Sequence, residues 1–417
     1  MIQNEREQSA RTAIDFRPYA PGFDENPHPV FQQLRQQAPV YYWADGRSWV
    51  VSKHDDILSL VRDKRFTPDR AKWEHAGQGS VDHIIPELQE LNRDGLFSLS
   101  DQAHARVRKL VSPALTPRAI ERLRPEIQAI VDEVLDAVAT KGTIEVVSDF
   151  ADQIPARVIG SMLKIPRGRE QLFQSFTYAV VKTFMPGLVA AEDIPGLRKD
   201  IAEGIRLVSE TIEDRRRNPL EDDILTNLIQ TEEQGDRLSK AELLSLVSAL
   251  IVGGFETTVH LIGFTVLNML RRADVFEQVK AEPELVKNLV EEVLRHDNFG
   301  KLGIARYALE DVEISGVTIK KGQMAILSLS SGLRDESVFD RADVFDIRRN
   351  TTASIAFGNG AHFCIGANLA RLELHVAIAT MIRRFPEMRL ASEPTFGPHP
   401  VIRKLDKLLV ELHPSVN

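Results

Sequence analysis

From about residue 102 to 298 the chain carries an almost unbroken helical pattern, and strand-like pieces return only near residues 304–328 and 388–412. Apolar residues recur three and four apart through Ile120 to Val138, Ile201 to Ile212 and Leu243 to Leu270, the repeat of amphipathic helices. Pro117, Pro166, Pro186, Pro195 and Pro219 punctuate them. Ahead of this block, residues 28–62 read as a helix, strands at Val40–Trp43 and Trp49–Val51, and a second helix. Residues 66–100 show no period and predict a long loop, of the kind that lines ligand sites. No linker, low-complexity tract or repeat divides the 417 residues, so the expectation is a single domain spanning 1–417. The fold class expected is mainly α with a smaller β-rich region.

This pattern excludes several classes. It lacks the strand–helix alternation of a dinucleotide-binding fold, and Gly358-Asn-Gly360 is no such fingerprint because Phe363 stands where the third glycine belongs. A formal net charge of −8 argues against nucleic-acid binding. The first ten residues hold no apolar run suited to a signal or anchor, and Gly253, Gly254, Glu256 and His260 interrupt the most apolar stretch. With 43% hydrophobic and 27% charged residues, the expectation is a soluble cytoplasmic protein of bacterial type, with no membrane contact and acting as a monomer.

The only cysteine, Cys364, lies in Phe357-Gly-Asn-Gly-Ala-His-Phe-Cys-Ile-Gly366, directly before an amphipathic helix. One thiol rules out a disulfide framework and a multi-cysteine metal site. The glycines allow backbone N–H groups to turn inward, and a helix start is electropositive. Both favour a thiolate, which is either a nucleophile or a metal ligand.

Four separated motifs resemble the cytochrome P-450 superfamily. They are the cysteine loop, Glu292-Val-Leu-Arg295, Gly253-Gly-Phe-Glu-Thr-Thr258 and His104-Ala-Arg-Val-Arg108. The resemblance runs nearly end to end, from Trp49 to Val410. It implies that Cys364 is the axial ligand of a haem b iron held between two long helices. It implies that His104, Arg108, Arg306 and His362 hold the haem propionates, whose burial demands cations. Gly254, Phe357, Gly358 and Gly366 join them as cofactor-binding positions. Glu292, Arg295 and Arg349 are implied to form a buried structural network that does not react.

The central motif carries the mechanism. Two adjacent glycines inside a helix cost about 1 kcal/mol each against alanine. They suggest close approach of a flat ligand or a local opening. The Thr257 hydroxyl can bond back to the Gly253 carbonyl and loosen the ladder there. Glu256 then relays protons inward while Thr257 holds dioxygen and a water. With that pair intact, the reading is a monooxygenase using O2 for hydroxylation or epoxidation. Electrons come from a separate ferredoxin and ferredoxin reductase, with Arg106, Lys109, Arg118 and Arg122 as candidate contacts.

By family topology an apolar pocket is lined by Ile84, Leu96, Phe97, Phe176, Val180, Leu250, Gly253, Leu302, Ile304, Val401 and Ile402. A polyketide or macrolide, a fatty acid or a terpenoid satisfies it equally. The chain departs from the common bacterial pattern at His296-Asp-Asn-Phe-Gly-Lys301, where a proline is usual near Asn298, at Gly332-Leu-Arg-Asp-Glu336, and at Ser354. The first variant and the His104 segment look closest to myxobacterial polyketide-tailoring members such as the epothilone epoxidase. Three other readings stay open: the same haem fold performing C–C coupling, a non-catalytic haem carrier, and a cysteine-nucleophile hydrolase.

Overall fold

The computed structural model describes residues 14–76, 84–93, 99, 101–184, 189–221, 223–230 and 238–413. By contact the chain forms two compact units. One comprises Met1–Gly79, Glu291–Cys364 and Phe396–Lys404, the other Ser80–Val290, Ile365–Thr395 and Leu405–Asn417.

The first unit is built on a five-stranded sheet. Its strands run in the order Val40–Trp43, Ser48–Val51, Met324–Leu327, Ile304–Ala308, Phe66–Thr67. Only Ser48–Val51 against Met324–Leu327 is parallel. Both are buried along nearly their whole length, as parallel neighbours are, and Trp49, Val51, Ala325 and Leu327 join Ile57, Leu60 and Leu333 in the core. The Trp49 indole N–H donates to Gln323 Oε1 at 2.8 Å, so its polar edge is satisfied inside the core. Residues 312–319 fold into a hairpin whose turn, Ser315-Gly316, has positive φ at both positions, as a two-residue loop needs.

The same unit holds a polar cluster in which half-buried His28 and Asp297 meet buried His296, Arg334 and Arg403. Burial, with Arg334 and Arg403 nearby, pushes His28 down to about 4 against the pull of Asp297. Burial and Arg334 push His296 down to about 2. Burial raises Asp297, but Arg403 and His28 overrule it and hold the carboxyl well below its usual value. In the unfolded chain each histidine binds a proton below about pH 6.5. The folded cluster binds these protons only at much lower pH, so its stabilisation is complete above 6.5 and is lost as pH falls through about 4. The expected loss from His28 alone is about 3 kcal/mol. Urea midpoints at pH 7.5, 6 and 5 check this, and a flat profile would mean that water reaches the cluster.

The second unit is helical. Its centre is the helix Lys240–Leu270, 31 residues, opened by a capping box in which Ser239 and Glu242 satisfy each other's backbone N–H groups. It is apolar on nearly every side because helices 153–162, 170–182, 194–217 and 367–384 all pack against it. By length and composition it resembles a membrane span, but 72% of its apolar window is buried inside the fold. The expected helix from Ile120 to Val138 divides in two, Pro117–Glu121 and Arg124–Val138, with Pro125 starting the second.

Several elements differ from expectation: strands Phe66–Thr67 and Thr143–Glu145 lie outside the regions where strands are expected, each too short for an alternation to be read. The segment 66–100 is not all loop, since Glu87–Arg93 is a helix that buries Leu88 and Leu91. Seven residues are too few for a period to be read. Val146–Ala151 forms a π-helical turn, started by Glu145, whose carboxylate accepts the N–H groups of Val147 and Ser148.

Candidate active site

In the first unit the cysteine loop is a series of tight backbone reversals. The Gly358 N–H donates to Ile355 O at 2.8 Å, Phe363 N–H to Gly360 O at 3.1 Å and Cys364 N–H to Phe357 O at 2.9 Å. Gly358 and Gly360 have φ of +74° and +67°, a region closed to most side chains. Asn359 anchors the tip by accepting from Arg62 Nε and Nη2 at 3.0 and 2.9 Å. The result is a loop that holds Cys364 exposed, with the rings of Phe357 and Phe363 6.3 Å apart beside it. Three residues later the helix Ala367–Arg384 begins, with Gly366 as its N-cap accepting the Ala370 N–H.

On the neighbouring strand Arg306 is only 4% exposed, and its Nη1 donates to the neutral Ala305 carbonyl at 2.9 Å. His362 sits partly buried in the short turn Gly360–His362. Glu292 and Arg295 meet in a two-pronged pair at 2.7 and 2.8 Å, both side chains fully buried, with Arg349 Nε 3.6 Å from Glu292. A surface cleft of about 570 Å³ adjoins Arg349 and is lined by Asp340, Arg341, Asp346 and Asn350. Its charged walls suit neither an apolar ligand nor the cysteine chemistry.

In the second unit His104, 3% exposed, and the partly buried Arg108 lie four apart on the helix Asp101–Val111, hence on one face. Between them in sequence, Arg106 pairs with Glu242, the capping residue of the central helix. Arg106 therefore braces two helices, a pairing the sequence did not announce. Lys109, Arg118 and Arg122 are exposed.

From Leu243 to Met269 the central helix keeps accessible surface only at Ala249, Leu250, Gly253, Gly254, Glu256 and Thr257. That spacing is one stripe along one face. The Thr257 hydroxyl donates to Gly253 O at 2.7 Å, the back-bond expected from sequence. The two glycines differ. A Cβ on Gly254 would lie 3.1 Å from Ile159 Cδ1, so Gly254 serves helix packing, and Gly253 is the exposed one.

Leu96 and Phe97 lie outside the described residues. Phe176 does not line a cavity: its ring covers Gly204, where an added Cβ would lie 2.2 Å away. Ile304 turns to the cysteine loop, its Cδ1 3.6 Å from the Cβ position of Gly358, and packs on the sheet core. Ile84 is exposed, and Leu250 and Val401 keep partial access. Val180, Leu302 and Ile402 are 8%, 8% and 6% exposed.

Sequence reasoning missed two groups. Glu373 on the cysteine helix is fully buried, and burial pushes its carboxyl well above the usual value. Lys301 and Arg403 are buried at 1% and 2% exposure. Only the odd placement of Lys301, inside the segment that departs from the common pattern, signalled anything.

These residues fit a thiolate-ligated haem. The single cysteine sits at the end of a loop shaped by two left-handed glycines, and the buried guanidinium of Arg306 lies on the neighbouring strand. The cytochrome P450 family profile matches residues 19–395. The chain is 46% identical to the epothilone C/D epoxidase of Sorangium cellulosum, over 100% of this chain and 99% of the relative. The solved structure of epothilone B-bound cytochrome P450epoK superposes with a TM-score of 0.92 at 46% identity, covering 96% of this chain and 100% of that one. A second, P450BioI in complex with hexadec-9Z-enoic acid ligated acyl carrier protein, gives a TM-score of 0.86 at 30% identity, covering 94% and 100%. Fold, cysteine loop and full-length likeness thus agree on a haem b monooxygenase that draws electrons from separate redox partners, and the chain belongs to the cytochrome P450 family.

Proposed function

We propose that this enzyme inserts one oxygen atom from O2 into a large apolar polyketide, by epoxidation or hydroxylation of a macrolide. The observation that carries the proposal is 46% identity along the whole chain to an epoxidase of epothilones C and D. Haem b, ligated by the Cys364 thiolate, supplies the oxygen-activating chemistry, and thiolate ligation favours O–O cleavage. His104, Arg108, Arg306 and His362 would pair with its propionates, and Phe357, Gly358 and Gly366 would help to hold it. Residues 1–417 work as one catalytic domain, monomeric and cytoplasmic, fed by a ferredoxin and its reductase.

Glu256 and Thr257 deliver protons. The Thr257 hydroxyl, whose hydrogen goes to Gly253 O, still has lone pairs with which to hold a water at the bared stripe. Thr257→Ala is expected to leave the spectra unchanged and to cut product formation by ~10²-fold. The electrons consumed then appear as hydrogen peroxide. Undiminished coupling of electron use to product would remove Thr257 from the mechanism.

Substrate class is tested by titrating the oxidised protein with epothilone D, hexadec-9-enoic acid and a terpenoid, and reading the low- to high-spin Soret shift. Epothilone D should bind tightest, and turnover with a surrogate ferredoxin system should add one oxygen to it. A shift confined to the fatty acid, free or on a carrier protein, would overturn the macrolide assignment.

A further inference from the structure

The stretch His296–Lys301, which departs from the common bacterial pattern, ends on a fully buried lysine and pairs with a second buried cation, Arg403. Lys301 Nζ donates to Asp24 Oδ2 at 2.8 Å and to His399 O at 2.9 Å, and it lies 5.5 Å from the centre of the Tyr19 ring. Arg403 Nη1 donates to Asp297 Oδ1 at 2.6 Å, while its Nε and Nη2 donate to the carbonyls of Asp24 and Glu25 at 2.7 and 3.1 Å. Both cations therefore grip one short piece of the N-terminal segment, Asp24-Glu25.

Between the cations runs a short antiparallel pairing. Lys301 N–H donates to Val401 O at 3.0 Å and Arg403 N–H to Phe299 O at 2.7 Å, with Gly300 opposite Ile402. His399 Nδ1 accepts the N–H groups of Val401 and Ile402 at 3.2 and 3.0 Å. Paired residues share a face and successive residues alternate. Gly300 and Ile402 thus belong to one face, Lys301 and Arg403 to the other, and Leu302 follows directly on Lys301. So short a pairing has little stability of its own, and a slip of one residue would exchange the two faces.

We propose that Lys301 and Arg403 are positioning residues, a charged clasp that fixes the register of segments 299–302 and 401–403 and so presents Leu302 and Ile402 to the substrate. The proposal rests on the placement of those two residues in the pocket of the monooxygenase proposed above. Apolar side chains of equal volume would fill the space without fixing register. A lysine and an arginine satisfied by carboxylates and carbonyls accept one arrangement, because any other leaves a charge buried without its partner.

The test uses full-length, haem-loaded Lys301→Met, which keeps side-chain length and removes the charge. Hydrogen exchange of peptides covering 297–304 and 399–405 is read by mass spectrometry. Affinities for epothilone D and for the iron-ligating probe 4-phenylimidazole are read from Soret shifts. Exchange in both segments should accelerate about tenfold and epothilone D affinity fall about tenfold, with the CO-bound thiolate band retained. Unchanged exchange, or faster exchange with both affinities intact, overturns the proposal. Should Lys301→Met fail to accumulate as haem protein, Asp24→Asn gives the same readouts with smaller shifts, since the His399 carbonyl still holds Lys301. If the wild-type protein shows no shift with epothilone D, the macrolide reading fails. The clasp is then judged by exchange and 4-phenylimidazole affinity alone.

Discussion

Cys364→Ser gives a folded protein that has lost both the thiolate-type haem spectrum and monooxygenase activity. Folding should survive because the loop takes its shape from its backbone. The reversals at 355–364 are made by backbone bonds and by the φ values of Gly358 and Gly360, all of which serine leaves in place. What serine cannot supply is a soft, polarizable anionic ligand, since its hydroxyl stays protonated where the thiol ionises. Activity should fall by ~10³-fold or more, as when a group on which the chemistry turns is removed. The check is the reduced, CO-bound spectrum together with the urea midpoint. A mutant keeping the long-wavelength Soret band would mean that Cys364 is not the ligand. A mutant that loses haem and unfolds early would mean that the sulfur has a structural part as well.

What was legible in the sequence was local. Two glycines at fixed offsets from a cysteine, a threonine four residues from a glycine carbonyl, and a glutamate three residues from an arginine state their geometry within a turn or two. The back-bond of Thr257 and the pairing of Glu292 with Arg295 follow from helical spacing alone. The less legible residues depend on partners far along the chain. Arg106 looks like a solvated surface cation until the helix start at Glu242 folds against it. Phe176 reads as a pocket aromatic, and only the bare backbone of Gly204 draws its ring into the helix contact. Gly253 and Gly254 are indistinguishable as adjacent letters, yet 100° of helix rotation sends one to open surface and the other against Ile159. Lys301 is the extreme case, because a lysine is almost never fully buried unless paired. Its partner Asp24 lies far away at the other end of the chain.

Glu292→Ala should be the most destabilising single change outside the core's apolar residues. The carboxylate is fully buried between two guanidinium groups, 2.7 Å from Arg295 Nη2 and 3.6 Å from Arg349 Nε, and it also accepts the Asp346 N–H at 2.9 Å. Arg295 in turn donates to the carbonyls of Leu333, Ala342 and Val344 and stacks 5.4 Å from the Phe339 ring centre. Arg349 donates to the carbonyls of Asp340, Arg341 and Val344. Together the three side chains tie down residues 333–349, an irregular stretch with little regular secondary structure to hold it. Removing the anion leaves two buried cations without a counter-charge, which costs about 3–5 kcal/mol. Arg349→Met should cost less, about 1–2 kcal/mol, because the Glu292–Arg295 pair stays whole and only hydrogen bonds to carbonyls are lost. Urea midpoints rank the two variants, and haem bound per chain reports the consequence for function, since the tied segment leads directly into the loop that begins at Ile355. If Glu292→Ala matched Arg349→Met in both measurements, the glutamate would be one hydrogen-bond acceptor among several. The larger loss, with haem content falling alongside the midpoint, is what a buried charge shared by two arginines demands.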